Sequence, residues 1–141
     1  MFDKKPEDRL RAWVDFRNTL ETSTTPLQDV VDFYRSAPIV NITVDPYDQK
    51  TWPTPWQLLN DNLYCDFAKV LGMAATLKLT DRFSDEETMI HIYTDREKSE
   101  LKYLLVIGNN VIGYDNNKVV DISNISCNFK FDMSFDYTIQ S

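Results

Sequence analysis

A chain of 141 residues, 43% of them hydrophobic, can close one ordinary core but not two, so a single domain is expected. Its 22 acidic residues outweigh 15 basic ones for a net charge of −7, and Lys and Arg are scattered without interleaved aromatics, which argues against a nucleic-acid partner. No apolar run reaches the roughly 18 residues of a membrane span and the opening Met-Phe-Asp-Lys-Lys-Pro-Glu-Asp is polar, so neither a membrane helix nor a secretory signal is expected. Cys65 and Cys127 are too few for a disulfide framework, and both are expected to be free thiols of a reducing compartment.

In chain order, residues 6–22 carry Leu10, Trp13, Val14 and Leu20 near helical spacing among charges, which predicts an amphipathic helix. Thr25 and Pro26 supply an N-cap and a first-turn proline for a second helix to about Arg35, with Leu27, Val30, Val31 and Tyr34 as its buried stripe. Pro38 stops that helix, and Ile39, Val40, Ile42 and Val44 predict a short strand before Asp45-Pro46. Thr54, Pro55 and Gln57 form a capping-box signature that opens a third, central helix. Its stripe is Trp56, Leu59, Leu63, Phe67 and Val70 or Leu71, and Gly72 suits its left-handed end. Strands are predicted at 76–79, 89–94, 101–107, 111–114 and 119–122, with hairpin turns at Gly108-Asn109-Asn110 and Asp115-Asn116-Asn117.

The C-terminus alternates Ile125, Cys127, Phe129, Phe131, Met133, Phe135, Tyr137 and Ile139 with polar residues, a period of two that defines a half-buried strand. At roughly 3.3 Å per residue such a run would extend about 50 Å, so it must break at a corner or outrun its domain as a docking arm. The expected fold is α+β, with about three N-terminal helices packed on an antiparallel, meander-like sheet that ends in this long amphipathic segment. Residues 125–139 are the candidate strand-exchange arm, with Phe129, Phe131, Met133, Phe135 and Tyr137 as its partner-binding face.

One constellation could carry chemistry: Cys65 as nucleophile, His91 as base and Asp115 as orienter. Each also has a structural reading, as a buried small side chain, a packed strand residue and a turn carboxylate respectively. No metal or other cofactor is expected, since the chain has a single His, no cysteine pair at ligand spacing and no calcium-loop pattern after Asp115. The segment Cys65-Asp66-Phe67-Ala68 with Leu71-Gly72, followed by a strand bearing His91, resembles the core motif of the transglutaminase-like and papain-like superfamily over about fifty residues. That resemblance implies a cysteine at a helix N-terminus. Pro55, however, places the predicted helix start nearly three turns earlier, so Cys65 is expected inside a helix unless the helix breaks near Asn60-Asp61-Asn62.

The phrases Arg11-Ala12-Trp13, Asp45-Pro46-Tyr47-Asp48, Thr51-Trp52-Pro53-Thr54-Pro55-Trp56 and Thr94-Asp95-Arg96-Glu97-Lys98-Ser99-Glu100-Leu101-Lys102-Tyr103 are similar to an uncharacterised family of small proteins of myovirus-type cyanophages, over about residues 9 to 115. That likeness implies an infected bacterial cytoplasm, or incorporation in a virion. Three functions follow as expectations. The first is a non-enzymatic structural or assembly protein that contacts itself or other phage proteins through its C-terminal β segment. The second is an acidic factor that binds a host protein. The third is a thiol hydrolase or acyltransferase using Cys65, His91 and Asp115.

Overall fold

The computed structural model describes residues 1–139. Four helices, α1 (Pro6–Leu20), α2 (Pro26–Tyr34), α3 (Pro55–Asp61) and α4 (Asp66–Lys78), precede five strands, β1 (Thr88–Asp95), β2 (Glu100–Ile107), β3 (Asn110–Ile112), β4 (Val120–Asp121) and β5 (Phe129–Asp136). The strands form one antiparallel sheet in the order β4-β3-β2-β1-β5. β1 to β4 are a meander, and the C-terminal strand returns to the far edge beside β1. The expected α+β architecture is therefore the observed one.

Period-two alternation sorts β1 and β2 between two faces. Ile90, Leu105 and Ile107 join Phe67, Leu71 and Leu77 of α4 in the main core. Leu104, Val106 and Val111 form a second cluster on the opposite face, where Met89, Tyr93, Tyr114, Val120 and Ile125 pack and no helix contributes. Helices thus cover one side of the sheet only. α4 lies against β1 and β2, while α2 and α3 pack on α4.

Three local expectations are corrected. Residues 76–79 end α4 instead of forming a strand: the Thr76 hydroxyl donates to the Gly72 carbonyl (2.7 Å) and accepts from Trp13 Nε1 (2.9 Å), tying the last turn to α1. Gly72 sits inside α4 because a Cβ there would meet Tyr34 Cε1 at 2.8 Å, so its smallness serves a helix crossing and not a helix end. The segment from Ile39 to Val44 makes one parallel bridge, Ile39 with Tyr64, and leaves Ile39, Val40 and Ile42 exposed. The stripes are also narrower than predicted. Leu10, Val14, Trp56 and Leu63 are exposed, and Trp13, Leu20, Leu59 and Phe67 carry the burial.

The C-terminal run does not project from the domain. β5 pairs along all of β1, and the Tyr137 N–H donates to the Thr88 carbonyl at 2.8 Å. Ile92 pairs with Met133 but Tyr93 pairs with Phe131, leaving Asp132 as the extra residue of a β-bulge. The bulge turns the alternation over. Phe135 and Tyr137 join the helix-side core, with Phe135 5.0 Å from Trp52, whereas Phe129 and Phe131 stack near Tyr93 on the bare face.

Candidate functional site

The site begins with a broken helix. The capping box at Thr54 and Gln57 is formed, with the Gln57 N–H on Thr54 Oγ1 at 3.2 Å and the Thr54 N–H on Gln57 Oε1 at 2.8 Å. The helix it opens lasts only to Asp61, where Asn62 turns left-handed (φ 52°) and donates its N–H to the Leu58 carbonyl. Arg9 of α1 closes the end: its guanidinium donates to the carbonyls of Leu59 (2.8 Å), Asn60 (2.9 Å) and Lys4. Tyr64 then extends beside Pro38 to Val40, and Cys65, also extended, becomes the N-cap of α4. The expectation that Cys65 lies within a continuous helix is thereby corrected.

As N-cap, Cys65 Sγ accepts from the Ala68 N–H and from the Thr43 hydroxyl, each at 3.4 Å. Burial pushes the thiol up, but the Thr43 hydroxyl and the backbone amides of Thr43, Ala68 and Val44 outweigh it and hold the thiol below its ordinary value. The helix N-terminus favours the thiolate in the same sense. Cys65 is 4% exposed and borders a cavity of about 400 Å³ whose wall includes Ile42, Pro46, Asp66, Leu101 and Tyr103. Asp66, Leu101 and Tyr103 also border a second cavity of about 180 Å³, which Asp115 lines. Asp115 accepts the Asn117 N–H at 2.8 Å, as a turn carboxylate does.

His91 is elsewhere. It lies between Ile90 and Ile92, both fully buried, and pairs across the ladder with Leu104 of the bare-face cluster. Its ring neighbours are Phe131 at 5.5 Å and Tyr93 at 5.9 Å. Cys65 belongs to the helix-side core, so the sheet separates the two side chains and the Cys65–His91–Asp115 set is not assembled. A base must stand about 3 Å from its nucleophile. The signal was present in the sequence, since alternation with Ile90 and Ile92 already assigns His91 to the other face. Of the candidate partner-binding residues, Tyr137 is buried, Phe129 and Phe135 are half-buried, and Phe131 (51%) and Met133 (41%) are exposed.

Burial holds the His91 imidazole below its ordinary value, and its buried Nδ1 has no protein partner. The unfolded chain therefore takes up a proton before the folded one, so stability falls as pH drops through about 6.5 and levels off on this account below the folded value. His91→Phe is expected to flatten the urea midpoint between about pH 7.5 and 5.5. Equal slopes for the variant and the natural chain would assign that pH dependence to other groups.

No family profile and no curated protein matches this sequence. Among solved structures the fold is similar to Legionella pneumophila LapG in its calcium-bound form, with a TM-score of 0.64 and 15% identity over 95% of this chain and 77% of that one. The likeness is one of fold. As for a counterpart of that calcium, no three His, Cys, Asp or Glu side chains are placed to hold a metal ion among the described residues.

Proposed function

We propose that this chain is a non-hydrolytic protein-binding protein on a transglutaminase-like fold, engaging a second copy or another phage or host protein through β5 and the adjoining bare face of the sheet. The carrying observation is the exposure of Phe131 on an edge strand, on the sheet face to which no helix contributes, where it stands beside Tyr93; Met133, across the bulge and opposite Ile92, is exposed on the other face of the same edge. Apolar side chains clustered at an open edge favour partner contact. The Asp132 bulge and the Lys130 and Asp132 charges interrupt any long added ladder, so the aromatic side chains carry the contact more than main-chain pairing does. The separation of His91 from Cys65 supports a role without turnover. The words shared with cyanophage proteins favour a phage partner, and the acidic surface suits a host protein as the alternative.

Removing the C-terminal run would also remove Phe135 and Tyr137 from the core, so the test uses a surface substitution. Light scattering is expected to give a defined oligomer, or a complex with a virion protein, for the natural chain. Phe131→Lys is expected to be a monomer that still unfolds cooperatively, with only the modest loss of stability that its contacts with His91 and Tyr93 account for. A natural chain that is monomeric at every concentration and absent from virions and host complexes would sink the proposal. A second reading, thiol chemistry at Cys65, is favoured by the hydrogen-bonded thiol at the start of α4 and requires a base other than His91.

A further inference from the structure

Cys65 and Asp115 share the helix side of the sheet, and one short stretch of β2 stands between them. Leu101 and Tyr103, two residues apart and therefore on one face, line both the cavity that contains Cys65 and the cavity that contains Asp115. Asp66, which also lines both, follows Cys65 in the first turn of α4, so a separate group on β2 that takes the thiol proton on one side and is oriented by a carboxylate on the other would project from this stretch. Tyr103 is committed to packing, its ring 5.1 Å from Phe67, and burial together with the nearby Tyr47, Cys65 and Asp66 raises its phenol, so it stays protonated at neutral pH. Leu101 is 41% exposed at the mouth, where an incoming acyl compound would meet the thiol, and it has nothing with which to accept a proton.

We infer that Leu101 occupies the base position of a thiol–base–carboxylate site whose nucleophile is Cys65 and whose orienting carboxylate is Asp115, so that the cleft admits acyl compounds without acylating Cys65. This inference is independent of any contact made by β5. Installing a base at Leu101 supplies the missing step. The imidazole takes the thiol proton, the sulfur attacks an ester carbonyl carbon, and the alcohol leaves with a proton returned from the imidazolium, leaving a thioester on Cys65.

The test uses the full chain with Cys127→Ser, which removes the exposed second thiol. Iodoacetamide alkylation of Cys65 is followed against pH; the sulfur–carbon bond forms as iodide leaves. Leu101→His is expected to speed alkylation near neutral pH about tenfold or more, to move the profile to lower pH, and to give a one-equivalent burst with p-nitrophenyl acetate. Leu101→Asn is expected to do none of these. Adding Asp115→Asn to Leu101→His should return most of the gain. If Leu101→His does not fold, Leu101→Ala with free imidazole provides the same reading, as a saturable acceleration of alkylation. A folded Leu101→His chain with the natural profile, or imidazole that accelerates the natural chain and Leu101→Ala equally, overturns the assignment. An undiminished gain with Asp115→Asn removes Asp115 from it.

Discussion

Arg9→Met is expected to lower the unfolding free energy by about 3 kcal/mol, far more than loss of a surface charge costs. Methionine keeps much of the volume but leaves the carbonyls of Leu59, Asn60 and Lys4 without their donor. Arg9 is buried, and a hydrogen bond to a charged group contributes about 1.5–3 kcal/mol where water cannot substitute for it. The Leu59 and Asn60 carbonyls lie in the last turn of α3, so loss of their donor also loosens the break that delivers Cys65 to the start of α4. Urea unfolding should shift strongly, and Cys65 should become more accessible to alkylation well below the transition. A shift under about 1 kcal/mol would mean that the chain breaks at Asn62 without help from α1.

Phe67→Ala is expected to cost about 3–5 kcal/mol, as for other large aromatic truncations in tight cores. Phe67 is 1% exposed and stands edge-on to both Trp52 and Tyr103, each 5.1 Å away, with Trp52 in turn against Phe135. This aromatic file joins the chain before α3, the first turn of α4 and two strands. Truncation therefore removes apolar area and also unseats the wall of the Cys65 cavity. Phe67→Leu, which retains most of the volume, should cost a small fraction of that. Similar losses for the two variants would show that the cavity collapses around the missing ring.

Sequence patterns resolved what local chemistry decides. The capping box at Thr54, the prolines at the first turns of α1, α2 and α3, the alternation of β1 and β2 and the turn at Gly108 all act over a few residues, and each appears where its pattern lies. The helix break was less legible because its causes are distant. Trp56, Leu59, Leu63 and Phe67 continue an apolar stripe across it, while the residue that stabilises it, Arg9, lies about fifty positions away in another helix. Gly72 misled for a related reason: near a helix end a glycine suggests a left-handed cap, but Tyr34, from a different helix, is what requires the missing Cβ. Thr76 to Leu79 has strand-like composition, but Trp13 and Tyr34 hold Thr76 within α4 through its hydroxyl.

The candidate site was half legible. Residue types singled out Cys65 and Asp115, and the structure brings both to the side of the sheet that carries α4, around cavities that share Leu101 and Tyr103. His91 was singled out because it is the chain's only imidazole, although the pattern around it assigned it to the other face. Residue identity is visible in a list of letters. The side of a sheet to which a letter belongs needs its neighbours as well.

The bulge at Asp132 gives the C-terminal strand a phase slip, and with it two regimes of substitution within one apparently uniform pattern. Beyond it, Phe135 and Tyr137 answer to interior packing, so shape sets what they can become. Before it, Phe131 is half exposed and answers to its own domain only through its edge-on contacts with His91 and Tyr93, which constrain it less than an interior does. Drift at Phe131 beside constancy at Phe135 would mark a bare edge, whereas constancy at both would record a partner.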